Sequence, residues 1–144
     1  NDEFLETNTV IVYDLKPFLD DQNVPPKLIL FNNYHATDDI NGNLWSNGQV
    51  SSNHNLYIHN INGKDHIFHS CYKNGLRVYV IHRDTNGNLH CIKEIGYFDT
   101  YYQSNGSGTA GQWSNYYWND SEGLITVSDT ENGTFLLKYT PESD

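Results

Sequence analysis

Apolar positions along this chain come in short runs that alternate with polar ones, and Asn-Gly steps separate the runs. Stretches rich in β-branched and aromatic residues occupy residues 9–13, 28–31, 55–60, 66–72, 76–82, 89–95, 124–128 and 134–139. Residues 76–82 alternate in part, with Arg77, Tyr79 and Ile81 on one face and Leu76, Val78, Val80 and His82 on the other. That is the period of two expected of a strand. No window carries the i, i+3, i+4, i+7 stripe of an amphipathic helix, and the best helical stretch is a turn or two around residues 14–21. Asn-Gly occurs at Asn41, Asn47, Asn62, Asn74, Asn86, Asn105 and Asn132. Both residues tolerate the positive φ of a type I′ turn, so each step is a hairpin signal. The pattern predicts one all-β domain over residues 1–144, built of antiparallel hairpins.

Some of these turns recur at a fixed interval. Asp39-Ile-Asn-Gly-Asn-Leu-Trp45 returns as Asp84-Thr-Asn-Gly-Asn-Leu-His90 and, more loosely, as Thr130-Glu-Asn-Gly-Thr-Phe-Leu136. The Asn-Gly steps at Asn41, Asn86 and Asn132 are 45 and 46 residues apart. Three repeats of about 45 residues point to a β-trefoil or to propeller-like blades. Three units close a trefoil within one chain, whereas three blades need a dimer or a larger parent protein. If the spacing is incidental, a β-sandwich of the same size is the alternative.

Composition narrows the class. Aromatic residues make up 14% of 144 residues, with 11 Tyr, and charged residues only 18%, so a core can offset ordering entropy. Met is absent, even at residue 1, which reads as a processed or excised segment. A net charge of −10 with only 8 Lys and Arg argues against nucleic acid and against anionic membrane surfaces. No apolar stretch is long enough for membrane insertion. A neutral polyhydroxylated ligand or a basic protein partner fits the charge, and a homo-oligomer is allowed. Cys71 and Cys91 fall on alternate strands of a meander. That places them roughly 10 Å apart, beyond the ~7 Å a disulfide spans, so two unpaired thiols are expected. Sequons at Asn105, Asn119 and Asn132 would accept glycans in a secreted chain.

The stretch Asn74-Gly-Leu-Arg-Val-Tyr-Val-Ile-His-Arg-Asp-Thr-Asn-Gly-Asn-Leu-His-Cys-Ile-Lys-Glu94 resembles one blade of the propeller-type lectins, in the tectonin-like and fungal fucose-binding families. The likeness lies in an Arg-Val-Tyr strand, a short Asp/Asn-Gly turn and a following strand that begins with Leu. It implies a sugar site in which an Arg on the second strand and a Glu on the third hold the ligand. Arg77 matches the first. Glu94 stands further along than the family's glutamate, His90 is nearer that place, and the aromatic that follows is displaced to Tyr97 or Phe98.

The chemistry-bearing residues do not assemble into a catalytic or metal motif. Seven histidines are present, but neither His-Glu-x-x-His nor Cys-x-x-Cys spacing occurs, so no metal or other cofactor is expected. Gly106-Ser-Gly108 lacks the spacing of a nucleophile elbow. Cys71 and Cys91 lie inside expected strands, and the carboxylate pairs Asp38/Asp39, Asp84/Glu94 and Asp120/Glu122 mostly occupy turns. No catalysis is expected, with a small hydrolase as a third reading. The aromatic and amide groups are better placed. Trp113-Ser-Asn-Tyr-Tyr-Trp118 offers ring plates beside polar groups, which is what a sugar's apolar face and hydroxyl rim require. Alternation puts Trp113, Asn115 and Tyr117 on one face, and Ser114, Tyr116 and Trp118 on the other.

The expectation is a carbohydrate-binding, lectin-like module recognising glycans or glycoproteins, secreted or on a cell or virion surface. Trp45, Arg77, Trp113, Tyr117 and Trp118 would carry binding, with Asp39, Asp84, Asn88 and Glu94 as polar contacts. The alternative is a protein-binding surface domain: an adhesin, receptor-binding or toxin-associated module with a Tyr-rich hot spot.

Overall fold

The computed structural model describes residues 9–33, 54–87, 89–102, 108–119 and 121–141. Three antiparallel sheets make up these residues. Strands β1 (Thr9–Asp14) and β2 (Lys27–Asn33) pair across the short helix α1 (Lys16–Asp20), which has Pro17 in its first turn and is the helical turn expected near residue 16. β3 (Leu56–Ile61), β4 (Lys64–Ser70), β5 (Leu76–Arg83) and β6 (Leu89–Phe98) form a four-stranded meander. β7 (Gln112–Asn119), β8 (Leu124–Asp129) and β9 (Gly133–Lys138) form a three-stranded one. The all-β antiparallel expectation is met at that level.

The Asn-Gly steps act where alternation changes direction. Ile61 pairs with Lys64 across Asn62-Gly63, whose φ values of 52° and 78° are both positive, as a two-residue type I′ turn requires. Asn86-Gly87 and Asn132-Gly133 close the β5–β6 and β8–β9 hairpins. Both of these latter turns open on an aspartate. Asp84 accepts the amide of Asn86 at 2.8 Å, and Asp129 accepts those of Glu131 and Asn132 at 2.8 and 2.9 Å.

Two of the sheets share a core. Phe68, Leu76 and Val78 of the four-stranded sheet pack with Tyr117, Ile125 and Val127 of the three-stranded sheet, and Phe135, Leu137 and Tyr139 lie against them. Fully burying a side chain such as Phe68 contributes about 1.5–3 kcal/mol before ordering entropy is counted. The opposite face of the four-stranded sheet is buried at its centre as well: Ile67, Tyr79 and Ile92 cluster there, with Ile81 beside them. Both faces of β5 are therefore interior, which explains why residues 76–82 alternate only in part.

β7 is absent from the apolar runs because its inward positions mix an amide with an aromatic. Asn115 and Tyr117 are buried, while Tyr116 and Trp118 face out. Trp113 departs from the expected alternation. An irregularity in the pairing between Gln112 and Ser114 turns its ring to solvent, away from the face of Asn115 and Tyr117. Cys71 follows β4, and Cys91 pairs with His82 on β6, so their elements are the alternate strands expected. Among the described residues no helix is long and apolar enough to cross a membrane.

Candidate functional site

β7 is fixed from its inner side. The Gln112 side chain, fully buried, donates from Nε2 to Ser70 Oγ at 3.1 Å, and Asn115 Nδ2 donates to the same oxygen at 2.7 Å. Backbone bonds between Tyr72 and Gln112, 3.0 and 2.9 Å in the two directions, tie the start of β7 to the β4–β5 turn. With those amides and Tyr117 directed inward, Trp113, Tyr116 and Trp118 face outward.

There they form a seam of rings. Trp113 is 46% exposed, Tyr116 46% and Trp118 64%. His54 lies 4.2 Å from the Trp113 ring centre, and Tyr72 meets that ring edge-on at 5.9 Å. Further along, Tyr116 is edge-on to Tyr57, His59 and Trp118 at 6.0, 6.1 and 5.0 Å. Trp118 Nε1 donates to Thr126 Oγ1, and Asn55 Nδ2 donates to Ser114 Oγ at 3.1 Å, bridging the two sheets. Each ring is held by a neighbour, so little further ordering entropy is lost when a ligand docks. From residue 113 to residue 118 a strand covers roughly 15 Å.

A second constellation lies on the far face of β5 and β6. Arg77 is 1% exposed, donates from Nη1 to Glu94 Oε1 at 2.8 Å and from Nε to the Asn74 carbonyl at 3.1 Å. Its guanidinium carbon sits 5.1 Å from the Tyr97 ring centre. The structure thus brings Arg77, Glu94 and Tyr97 together, but the Arg77 donors are directed at the protein. Its expected ligand contact is replaced by a buried ion pair, with the half-exposed Tyr97 and the edge of Glu94 as the parts nearest solvent.

The other expected site residues separate clearly. Tyr117 is 3% exposed and stacks on Phe68 at 5.2 Å, so it is a core residue with no surface for a ligand. Asp84 is exposed in the β5–β6 turn, where it organises the backbone. Trp45, Asn88 and Asp39 lie outside the described residues. His54, Tyr57 and Tyr116 were not expected. Tyr116 is two residues from Trp118 and could have been found by alternation, whereas Tyr57 joins from β3 and His54 from the segment just before it, and they leave no local signal.

The titrating groups bear on the chemistry available. Burial pushes the Cys71 thiol up to about 12, which leaves almost no thiolate for nucleophilic attack at neutral pH. Burial also brings His69 down to about 4, so it is neutral in the fold. Asp65 is held below the usual carboxylate range by hydrogen bonds from Asn60 and then Arg83. Among the described residues no three His, Cys, Asp or Glu side chains are grouped to hold a metal ion. The arrangement suits contact through ring faces with hydrogen bonds at their edges. No family model matches this chain, and neither curated proteins nor solved structures include a match to it.

Proposed function

We propose that the chain is a carbohydrate-binding, lectin-like module without catalysis, which holds glycans on the seam of Trp113, Tyr116 and Trp118. The observation that carries this reading is the combination of exposure and fixation: three large rings face solvent, each pinned by a neighbouring ring or hydroxyl. Sugar C–H faces stack on such plates, and Asn55, Ser114 and the flanking histidines supply donors and acceptors for the hydroxyls. The partner is a glycan or glycoprotein outside the cell or on its surface.

The repeat reading draws support from two features. The central strands β4 and β5 are buried on both faces over much of their length, as in an internal unit of a blade-like stack, and the β5–β6 and β8–β9 turns share the Asp-opened, Asn-Gly-closed pattern. A closed ring of such blades needs a second copy or a longer chain. The abundance of Tyr and Trp on the seam also favours the second reading, a protein-binding surface.

Titration of tryptophan fluorescence with simple sugars, backed by a glycan array, tests the first reading. Saturable quenching that disappears in Trp113→Ala and Trp118→Ala, with far-UV circular dichroism unchanged, is expected. An array with no glycan bound, alongside tight binding of one protein that the same variants abolish, would overturn it in favour of the second.

A further inference from the structure

We infer that Asn62-Gly63, the turn between β3 and β4, is a site of self-modification, at which the main chain attacks the Asn62 side chain and converts it to an aspartyl or β-aspartyl linkage. The Gly63 nitrogen forms a bond to Asn62 Cγ, the Cγ–Nδ2 bond breaks, and the side-chain nitrogen leaves as ammonia with the Gly63 proton. Water then opens the resulting five-membered imide at either carbonyl. Nothing beyond water is consumed, so the fold sets the rate by allowing or preventing the approach of these two atoms.

Four Asn-Gly steps lie among the described residues, and the structure separates them. Asn74 is buried, and the Gly75 N–H donates to the Tyr72 carbonyl at 2.9 Å. Asn86 is exposed, but the Gly87 N–H donates to the Asp84 carbonyl at 3.0 Å. Asn132 has its side chain held, with Nδ2 donating to the Thr100 carbonyl at 2.7 Å. Asn62 and Gly63 are both exposed. Among the described residues neither the Gly63 N–H nor the Asn62 side chain makes a hydrogen bond.

The turn type supplies the geometry. In type I′ the first central residue has ψ of about +30°, which holds the next nitrogen away from its side chain. In type II′ that ψ is about −120°, where the bond to the next nitrogen eclipses Cα–Cβ. Gly63 N would then lie on the side of Asn62 Cγ. Both turns are favoured in two-residue hairpins and both keep φ positive at the first position, so only the Asn62–Gly63 peptide plane has to turn over. Gly63 permits this because glycine takes either sign of φ. The flip breaks no hydrogen bond here, whereas at Gly75 and Gly87 it would forfeit the bond to Tyr72 or Asp84. A β-linkage would add a methylene to the main chain of the turn that sets Ile61 opposite Lys64. Either product would add a negative charge among the residues lining a cavity of about 360 Å³. This inference is independent of the glycan seam, which is built from other residues.

Incubation of the whole chain in warm, mildly alkaline buffer, with and without urea, tests it. Peptide mass spectrometry with fragmentation locates each conversion. In the folded chain Asn62 is expected to convert at least about threefold faster than Asn74, Asn86 or Asn132, a factor within the reach of one retained hydrogen bond. In urea, where no turn is held, the four rates are expected to converge. A folded chain in which any of the other three keeps pace with Asn62 overturns the inference. So does a fold that slows Asn62, relative to urea, as much as it slows the others, or a lead for Asn62 that persists undiminished in urea.

Discussion

His69 should make the fold sensitive to mild acid, by an amount that follows from its burial. It sits on β4 opposite Arg77, 4% exposed, with the Tyr79 ring at 6.4 Å. Its pKa falls from 6.5 to about 4 because the interior penalises the imidazolium. Above pH 6.5 the group is neutral in both states and contributes no pH dependence. As pH falls below 6.5 the unfolded chain takes up the proton and the folded chain does not, so stability declines until about pH 4, where both are protonated. A gap of about 2.5 pH units, at 1.36 kcal/mol each, amounts to roughly 3 kcal/mol. The perturbation is His69→Leu, compared with wild type by urea unfolding followed through tryptophan fluorescence at several pH values between 7.5 and 4. The other histidines are common to both proteins and cancel in the difference. Asp65, held below 3.8, loses its contribution mostly at lower pH. Wild type should lose about 3 kcal/mol more than the variant across the window, with the difference growing steadily below pH 6.5. Parallel profiles, agreeing within about 0.5 kcal/mol, would refute the reasoning and show that protonated His69 is accommodated in the fold.

Three further outcomes follow from other parts of the structure. Glu94→Ala should cost about 3–5 kcal/mol in denaturant unfolding because it strands the buried Arg77 guanidinium, and Arg77→Met/Glu94→Leu should restore much of that loss. Gly75→Ala should destabilise by at least about 2 kcal/mol, since φ is +68° and the added Cβ would lie 2.2 Å from the Phe98 carbonyl oxygen. Gly63→Ala, in open space at φ +78°, should cost only about 1 kcal/mol. Tyr117→Ala should cost about 3–5 kcal/mol by opening a cavity, whereas Trp118→Ala, at a ring 64% exposed, should change stability by under about 1 kcal/mol. Equal losses for Tyr117→Ala and Trp118→Ala would contradict the assignment of one to the core and the other to the surface.

The local part of this fold was legible in the sequence, and the reasons differ from element to element. Asn62-Gly63 specified a turn because its positive φ values are a property of the dipeptide, and the β3–β4 register follows from it. β5 was legible as a strand, but its two buried faces depend on what packs against each side. Alternation over residues 113–118 correctly paired Tyr116 with Trp118 and Asn115 with Tyr117. It could not say which face was interior, because Asn115 is buried by its bond to Ser70, 45 residues away. That choice decides the candidate site. It moved Tyr117 into the core and brought Tyr57 of β3, and His54 just before it, to the seam.

The placement of Glu94 shows how a single irregularity hides a site from a linear reading. Counting back from the pairs Arg77–Tyr97 and Val78–Gly96, an unbroken ladder would set Ile95 opposite Tyr79 and Glu94 opposite Val80. Glu94 would then point to the face of Phe68 and Val78, away from Arg77. Instead the register slips between Val78 and Tyr79: Ile95 is bulged, and Glu94 falls opposite Tyr79. Since one residue of slip reverses every later side chain, Glu94 joins Arg77 and Tyr97 on one face. The bulge is what puts Glu94, rather than Ile95, on the face of Arg77. The resulting 2.8 Å pair is nonetheless closed on itself, with Asn74 and Tyr97 completing the surroundings of the guanidinium. A ligand reaching Arg77 would have to displace a buried carboxylate, at a cost of several kcal/mol. The rings of β7 require no such exchange, and for that reason the proposed glycan contact lies on the seam rather than at the arginine.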